Sequence, residues 1–179
     1  MGRKVIVIVD MQNDFVYGTL GNKEAQAIVP KMCAQLDKYL EDEGDVYLTF
    51  TRDTHYEETY DQTAEGKSVI PHCIKDTEGW EIITPLTRYA YIDTDMIIDK
   101  NTFGSPCLMN ALRDFLYPDD EVEFWGVCTD ICVLSNALMA RAHFPYNKIS
   151  VNSQLCAGTT PEAHSYALSM MRHNCIEVI

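Results

Sequence analysis

The chain has 179 residues, the size of one domain, and is long enough to bury a hydrophobic core without disulfides or a structural metal, so we expect residues 1–179 to form a single domain. Its formal net charge of −13 repels nucleic-acid phosphates and anionic lipid surfaces, so we expect neither nucleic acid nor membrane as a partner. The seven cysteines are an odd number, which suits a reducing cytoplasm better than a secreted disulfide framework.

Short apolar runs mark the predicted strands, and they are near-continuous rather than alternating, as in strands that are covered on both faces. In chain order they are residues 5–9, 46–50, 96–98, 122–125 and 149–151, and residues 175–179 could form a last strand. Segments with helical spacing lie between them. This alternation predicts an α/β domain with a mostly parallel sheet.

Four helices are predicted from apolar residues at helical spacing. Their apolar faces are Ile28, Met32, Leu36 and Leu40; Leu108, Leu112 and Phe115; Leu134, Leu138 and Ala142; and Ala163, Ala167 and Met170. The first helix should end at Gly44, and the third before Phe144-Pro145, because the residue before a proline avoids helical geometry. The fourth should begin within Thr159-Thr160-Pro161-Glu162.

Polar residues follow the predicted strands at the point where each strand ends. Ligands of an open parallel sheet bind in the crevice outside the carboxyl ends of the strands. We therefore expect the side chains at these ends to converge, although they are far apart in the chain. They are Asp10, Asp53, His55, Lys100 and Cys132.

The stretch GVCTDICV at residues 126–133 contains a candidate nucleophile. If residues 131–142 form a helix, Thr129 or Asp130 caps it and Cys132 lies in its first turn, where the helix dipole favours a thiolate. The free backbone amides there could also hold an oxyanion. Three alternatives remain open for Cys128 and Cys132: buried packing, a disulfide, and part of a zinc site, for which no second paired spacing is visible.

A nucleophile also needs a base and a compensating charge. Asp10 is the candidate base and Lys100 the candidate cation. Each has a structural alternative, because Asp10 could cap a turn with Asn13, and Lys100 could be a solvated surface charge.

Residues 51–72 contain a candidate metal site made of Asp53, His55, Glu65 and His72. An Asp-x-His pair on extended chain points both side chains the same way, and a later Glu and His could complete the site. Two imidazoles and two carboxylates suit Zn²⁺, Mn²⁺ or Fe²⁺. The alternative is an ordinary polar loop, since Glu57, Glu58 and Asp61 lie in the same stretch.

Five motifs along nearly the whole length resemble the isochorismatase-like cysteine hydrolases, and within that family the nicotinamidases. They are VIVDMQNDF, TRDTH, PHCIKDTEGWEI, IDKNTFG and GVCTDICV. The resemblance implies a three-layer α/β/α sandwich with a mostly parallel, doubly wound central sheet. It also implies hydrolysis of nicotinamide to nicotinate and ammonia through a cysteine thioester, and a homo-oligomer.

The same resemblance assigns roles to individual positions. It makes Asp10 the proton shuttle, Lys100 the catalytic lysine and Cys132 the nucleophile. The backbone N–H groups of Cys128 and Cys132 would form the oxyanion hole, with a cis peptide bond before Cys128.

For the metal and the substrate, the resemblance implies one divalent ion, foremost Zn²⁺, that orients the pyridine ring. The ligands would be Asp53, His55 and His72, with Glu65 as the carboxylate that some members use in place of a histidine. Phe15 and Phe103 match aromatic residues that hold the substrate ring.

One departure from the family pattern lies at a position that we interpret as structural, and it bears on the substrate assignment more than on the fold. Asn152, Ser153 and Gln154 stand where relatives commonly carry an acidic residue before a Cys-Ala pair. Another isochorismatase-like hydrolase, acting on a different small amide or carbamoyl compound, is therefore an alternative. A third alternative is a non-catalytic binding protein or a redox-thiol protein.

Overall fold

A computed structural model describes residues 2–41, 46–91 and 96–179 of the chain. In this part of the chain six parallel strands form one sheet in the order β3-β2-β1-β4-β5-β6. Their bounds are β1 Lys4–Val9, β2 Val46–Asp53, β3 Ile97–Lys100, β4 Glu121–Val127, β5 Lys148–Ala157 and β6 Glu177–Val178. The chain order reverses between β1 and β4, which opens a crevice at their carboxyl ends.

Six α-helices connect these strands in the described residues. They are α1 Asn13–Val16, α2 Lys23–Glu41, α3 Thr84–Ala90, α4 Pro106–Phe115, α5 Leu134–His143 and α6 Pro161–His173. Two short 3₁₀ turns, Tyr60–Gln62 and Glu78–Trp80, lie in the long connection after β2, and a π-helical segment, Thr129–Val133, leads directly into α5. None of the described helices has both the length and the apolar character that crossing a bilayer requires.

Helices cover both faces of the sheet, so the predicted three-layer α/β/α fold is confirmed. On β1, Ile6 and Ile8 pack in one buried cluster with residues of α2 and α3. Val5 and Val7 pack in a second cluster, which contains residues of α4, α5 and α6. The strand is apolar at every position because each of its faces has a helical layer against it.

Four predicted strands end too early. β2 continues to Asp53, β3 runs to Lys100, β4 continues from residue 125 to Val127, and β5 continues from residue 151 to Ala157. Their polar residues pair in the ladder like the apolar ones, as in the register of Asp53 with Lys100. A register shift in the pairing with β4 accompanies the extension of β5 through its polar residues. Apolar runs alone therefore predict strands that are too short.

The predicted apolar faces of α5 and α6 are partly wrong. On α5 the buried residues are Asn136, Ala137 and Ala140, whereas Ala142 is exposed. The buried face includes a polar residue because the side chain of Asn136 hydrogen-bonds to backbone groups. On α6 Met171 is buried and Met170 is 54% exposed. Thr160 caps α6 as predicted, and its hydroxyl accepts a hydrogen bond from the Ala163 N–H.

The buried face of α2 is close to the predicted one, but Leu40 is 55% exposed. The predicted end at Gly44 lies outside the described residues, and the described helix reaches Glu41.

Candidate active site

The carboxyl ends of β1, β2 and β3 deliver three charged side chains to one point. Asp10 directly follows β1 with a φ of 51°, Asp53 is the last residue of β2, and Lys100 is the last residue of β3. Cys132 comes from the π-helical segment after β4. The structure thus brings together side chains that are up to 122 positions apart, counted from Asp10 to Cys132.

Lys100 is the centre of this cluster. Its Nζ lies 2.7 Å from Oδ2 of Asp10, 3.2 Å from Oδ1 of Asp53 and 3.7 Å from Sγ of Cys132. All four side chains are buried. Although burial alone would lower it, the surrounding acidic groups hold the pKa of Lys100 well above its ordinary value, so the amine is protonated at neutral pH.

The two carboxylate oxygens of Asp10 differ, because one accepts a hydrogen bond and the other can still accept a proton. The Thr51 hydroxyl donates to Oδ1 over 2.6 Å, whereas Oδ2 faces Lys100 and accepts no hydrogen bond of ordinary direction within the described chain. Burial raises the pKa of Asp10, and the Lys100 ammonium opposes that shift. A carboxylate in this state is a competent proton acceptor at Oδ2.

The thiol of Cys132 differs from the expectation in its charge state. Burial raises the pKa of Cys132 well above its ordinary value, and Lys100 only partly opposes the shift. The expectation that the helix end favours a thiolate is therefore wrong for the resting site, because desolvation exceeds the attraction. The sulfur needs a base within reach before it can attack.

The segment that carries Cys132 is not capped as predicted. The Thr129 hydroxyl lies 2.8 Å from Nδ1 of His164, and the Asp130 carboxylate accepts hydrogen bonds from the N–H and hydroxyl of Thr159. These contacts tie the π-helical segment to α6 and to the end of β5 instead of capping α5.

The turn before this segment has a cis peptide bond between Val127 and Cys128. Gly126 just before it has a φ of 113°, and a Cβ atom there would lie 2.1 Å from the Val9 carbonyl oxygen. Only glycine fits this close approach of β4 to β1. Within the described chain Cys128 and Cys132 are both free thiols, which leaves the disulfide alternative without support.

Beside the cluster, Asp53, His55, Glu65 and His72 offer ligand atoms that all lie within 4.8 Å of one another. Oδ2 of Asp53 is 2.9 Å from Nε2 of His55 and 3.3 Å from Nε2 of His72. The Glu65 carboxylate is 3.7 Å from Nε2 of His55 and 3.4 Å from Nε2 of His72. By contrast, Glu57 and Glu58 are exposed and lie outside this group.

The donor set fits a divalent metal ion. Nδ1 of His72 lies 2.9 Å from the Ile70 carbonyl, so that nitrogen can carry the proton and leave the Nε2 lone pair free. Nε2 is buried and has no well-directed hydrogen-bond partner in the part of the chain that the structure describes. Two imidazole nitrogens and two carboxylates that converge in this way suit Zn²⁺, Mn²⁺ or Fe²⁺.

A cavity of about 480 Å³ opens onto both the sulfur and the metal-binding group. Its lining includes Phe15, Phe103, Cys128 and Cys132 together with Glu65 and His72. The ring centroids of Phe15 and His72 are 5.2 Å apart. The described lining contains no lysine or arginine, and most of its surface is apolar.

Several residues of the site carry no signal in the sequence. The cavity is also lined by Leu20, Val69 and Ile131, apolar residues that nothing in the sequence distinguishes from core residues. Thr51 could have been found, because it lies two residues before Asp53 and alternate residues of an extended strand share one face.

Comparison with known proteins places this geometry in context. The model of the Isochorismatase domain matches residues 4–179. The uncharacterized isochorismatase family protein PncA of Bacillus subtilis is 31% identical over 179 aligned residues, which cover 93% of each chain.

Two crystal structures are also similar. The pyrazinamidase/nicotinamidase of Streptococcus mutans has 28% identity and a TM-score of 0.83, covering 98% of this chain and 99% of that one. The pyrazinamidase of Pyrococcus horikoshii in complex with zinc has 26% identity and a TM-score of 0.81, covering 99% and 98%.

Proposed function

The chain belongs to the isochorismatase family and is an amidohydrolase, and we propose that it hydrolyses nicotinamide to nicotinate and ammonia through a thioester on Cys132. The observation that carries the proposal is the position of Lys100 Nζ, 2.7 Å from the Asp10 carboxylate and 3.7 Å from the sulfur of Cys132. Cys132 itself lines an apolar cavity.

The first step is the attack of sulfur on the amide carbon. The S–H proton moves to Oδ2 of Asp10, the S–C bond forms, and the electron pair of the carbonyl π bond moves onto oxygen. Lys100 remains protonated and offsets the negative charge that passes from Asp10 to the sulfur and the substrate. The neutral resting thiol is compatible with this route, because the base is already in place.

The tetrahedral oxyanion would be held by the backbone N–H groups of Cys128 and Cys132. A donor aimed at such an oxygen is worth about 3 kcal/mol of transition-state stabilisation. Collapse of the intermediate breaks the C–N bond, and Asp10 returns its proton to the departing nitrogen, which leaves as ammonia. The acyl group then remains on Cys132 as a thioester.

Hydrolysis of the thioester uses the same carboxylate again, first as a base and then as an acid. Asp10 accepts a proton from water, the water oxygen attacks the acyl carbon, and the C–S bond breaks. The proton on Asp10 then returns to the sulfur, which restores the resting thiol and carboxylate. The product acid releases its remaining proton to the solvent and leaves as nicotinate.

Asp53, His55, Glu65 and His72 would hold one divalent ion, and the zinc complex of the similar Pyrococcus horikoshii pyrazinamidase supports Zn²⁺. When bound, the ion supplies a Lewis acid to which the pyridine nitrogen of the substrate can bind, which orients the ring. Phe15 and Phe103 contribute aromatic walls to the cavity that receives this ring.

The charge of the cavity favours nicotinamide over the anionic substrates that the same chemistry could process. The described lining contains no lysine or arginine, while Glu65 lies within it and the whole chain has a net charge of −13. No lysine or arginine of the described lining would pair with the carboxylate of an anionic amide as the cavity removes it from water. A neutral heteroaromatic amide avoids this cost.

Ammonia release from a panel of amides tests the proposal, with metal content measured on the same sample. The panel is nicotinamide, pyrazinamide, benzamide and an N-carbamoyl amino acid. We expect turnover of nicotinamide, weaker turnover of benzamide because it has no ring nitrogen, and none of the carbamoyl acid. Preference for the carbamoyl acid over nicotinamide would replace the proposal by the alternative of a different family substrate.

A further inference from the structure

The side chain of Asn136, on α5, hydrogen-bonds both to the segment that carries the nucleophile Cys132 and to the loop that carries Phe103. Its Nδ2 donates to the Cys132 carbonyl over 2.8 Å and to the Phe103 carbonyl over 3.0 Å. Its Oδ1 accepts from the Ser105 N–H over 2.9 Å. Asn136 is fully buried.

This set of bonds fixes the side chain in one orientation. An asparagine amide offers two N–H donors and one carbonyl acceptor, and here both donors and the acceptor have backbone partners. Rotating the amide by half a turn would point the oxygen at two carbonyls and the NH₂ group at an N–H. A buried amide with all its partners in place is rigid, and each lost bond leaves a buried backbone group unpaired.

The two segments that Asn136 joins both border the substrate cavity. One is the π-helical segment, where Cys132 lies four positions before Asn136. The other is the loop at residues 101–105, which follows Lys100 and carries Phe103, a residue that is 40% exposed. This loop packs tightly on α5, since a Cβ atom at Gly104 would lie 2.4 Å from Sδ of Met139.

We propose that Asn136 is a positioning residue that holds the backbone of the nucleophile and the Phe103 wall at a fixed separation. Sulfur attack requires the amide carbon within about 3.5 Å of Sγ, while the ring rests on a wall carried by a different element. Asn136 is the single side chain, among those described, that hydrogen-bonds to both segments. The identity of the substrate in this inference rests on the proposed function, whereas the hydrogen bonds of Asn136 do not depend on it.

Two substitutions separate the two connections. N136A removes all three hydrogen bonds. N136T retains one of them, because a threonine hydroxyl in a helix can donate to the carbonyl four positions earlier, here that of Cys132. N136T therefore breaks the link to the 101–105 loop and keeps the link to the nucleophile. N110A, at an exposed asparagine on α4, is the matched control.

The measurements are KM and kcat for nicotinamide, and the rate of Cys132 alkylation by iodoacetamide, which needs no turnover. For N136T we expect KM to rise roughly tenfold with the alkylation rate within about twofold of wild type. For N136A we expect the same rise in KM, a fall in kcat of roughly tenfold or more, and a changed alkylation rate. Thermal melting reports whether each variant is folded.

A double-mutant cycle with F103A identifies the path of the effect. If Asn136 acts through Phe103, N136T should raise KM in the wild-type background and leave it nearly unchanged in the F103A background. Additive effects on KM, or an unchanged KM in N136T, would overturn the proposal. If wild-type protein released no ammonia from nicotinamide, the proposed function would fail, and the alkylation rates of N136A and N136T would still test the positioning role. Equal rates in wild type and N136A would then refute it.

Discussion

Gln12 and Asp53 exchange two hydrogen bonds, in which Nε2 of Gln12 donates to the Asp53 carbonyl over 2.8 Å and Oε1 of Gln12 accepts from the Asp53 N–H over 2.7 Å. Nε2 also donates to the Trp80 carbonyl over 2.8 Å. Gln12 is fully buried and lies two residues after Asp10. It thereby extends the pairing of β1 with β2 past the end of β1 and holds the two carboxylates of the site beside Lys100.

Replacing Gln12 by alanine should destabilise the protein and weaken the metal site together. The change leaves the Asp53 N–H and carbonyl buried without partners, at a cost of about 3 kcal/mol in the free energy of unfolding. Urea denaturation measures that loss, and competition with a chelating dye measures zinc affinity. Q154A, at an exposed glutamine on β5, is the control. Equal stability of Q12A and Q154A would show that the exchange contributes nothing.

Replacing His72 by alanine should separate metal binding from thiol chemistry. Loss of one of the four ligands should lower zinc affinity by more than about a hundredfold and raise KM for nicotinamide. The rate at which iodoacetamide alkylates Cys132 should stay close to that of wild type, because the sulfur contacts Lys100 and not His72. H143A removes an exposed histidine on α5 as the control. Wild-type zinc affinity in H72A would remove His72 from the ligand set.

Asp14 should influence the metal without contacting it. Its Oδ2 accepts a hydrogen bond over 2.8 Å from the N–H of Cys73, the residue after His72, whose φ is 46°. D14A should therefore lower zinc affinity by about tenfold through the loss of this anchor. D14N keeps an oxygen acceptor and should restore most of the affinity. D61A, at an exposed aspartate in the connection after β2 that also contains His72 and Cys73, should have no effect on zinc affinity. Equal zinc affinity in D14A and wild type would contradict this role.

Acid should weaken the contact between Arg3 and Asp120, which lies near the amino ends of the strands. Although burial alone would raise it, hydrogen bonds from Arg3 hold the pKa of Asp120 below its ordinary value of 3.8. Since the pKa in the folded state is the lower one, the stabilisation is complete above pH 3.8 and is lost as the pH falls through the folded-state pKa.

The difference in unfolding free energy between wild type and D120N should consequently be constant from pH 5 to 8 and should shrink below about pH 4. Urea denaturation at several pH values measures it, with D119N at the exposed neighbour as the control. A difference that grows as the pH falls would show that the sign is wrong.

Much of the fold was predictable from the sequence because both faces of the sheet are covered. Ile6, Ile8, Val5 and Val7 are all buried, so β1 is visible as a continuous apolar run. Strand ends were less visible, since Asp53 and Lys100 are polar and still pair in the ladder. The buried face of α5 was not predictable from the spacing of apolar residues, because it consists of the polar Asn136 and the small residues Ala137 and Ala140.

The candidate site divides in the same way. Asp10, Lys100 and Cys132 were predictable as neighbours because each follows or ends a parallel strand, and such ends share one edge of the sheet. Gln12 and Asn136 were not, because a buried amide that pairs with backbone groups has no spacing pattern and no reactive group of its own. The charge state of Cys132 also required the structure, since it depends on burial.

The central claim is that the sulfur of Cys132 attacks the amide carbon. Its most direct test is ammonia release from nicotinamide by C132A, compared with wild type and with C107A, which removes an exposed thiol on α4. We expect C107A to match wild type, and C132A to release no ammonia while it keeps the melting temperature and zinc content of wild type. Ammonia release by C132A at the wild-type rate would contradict the account.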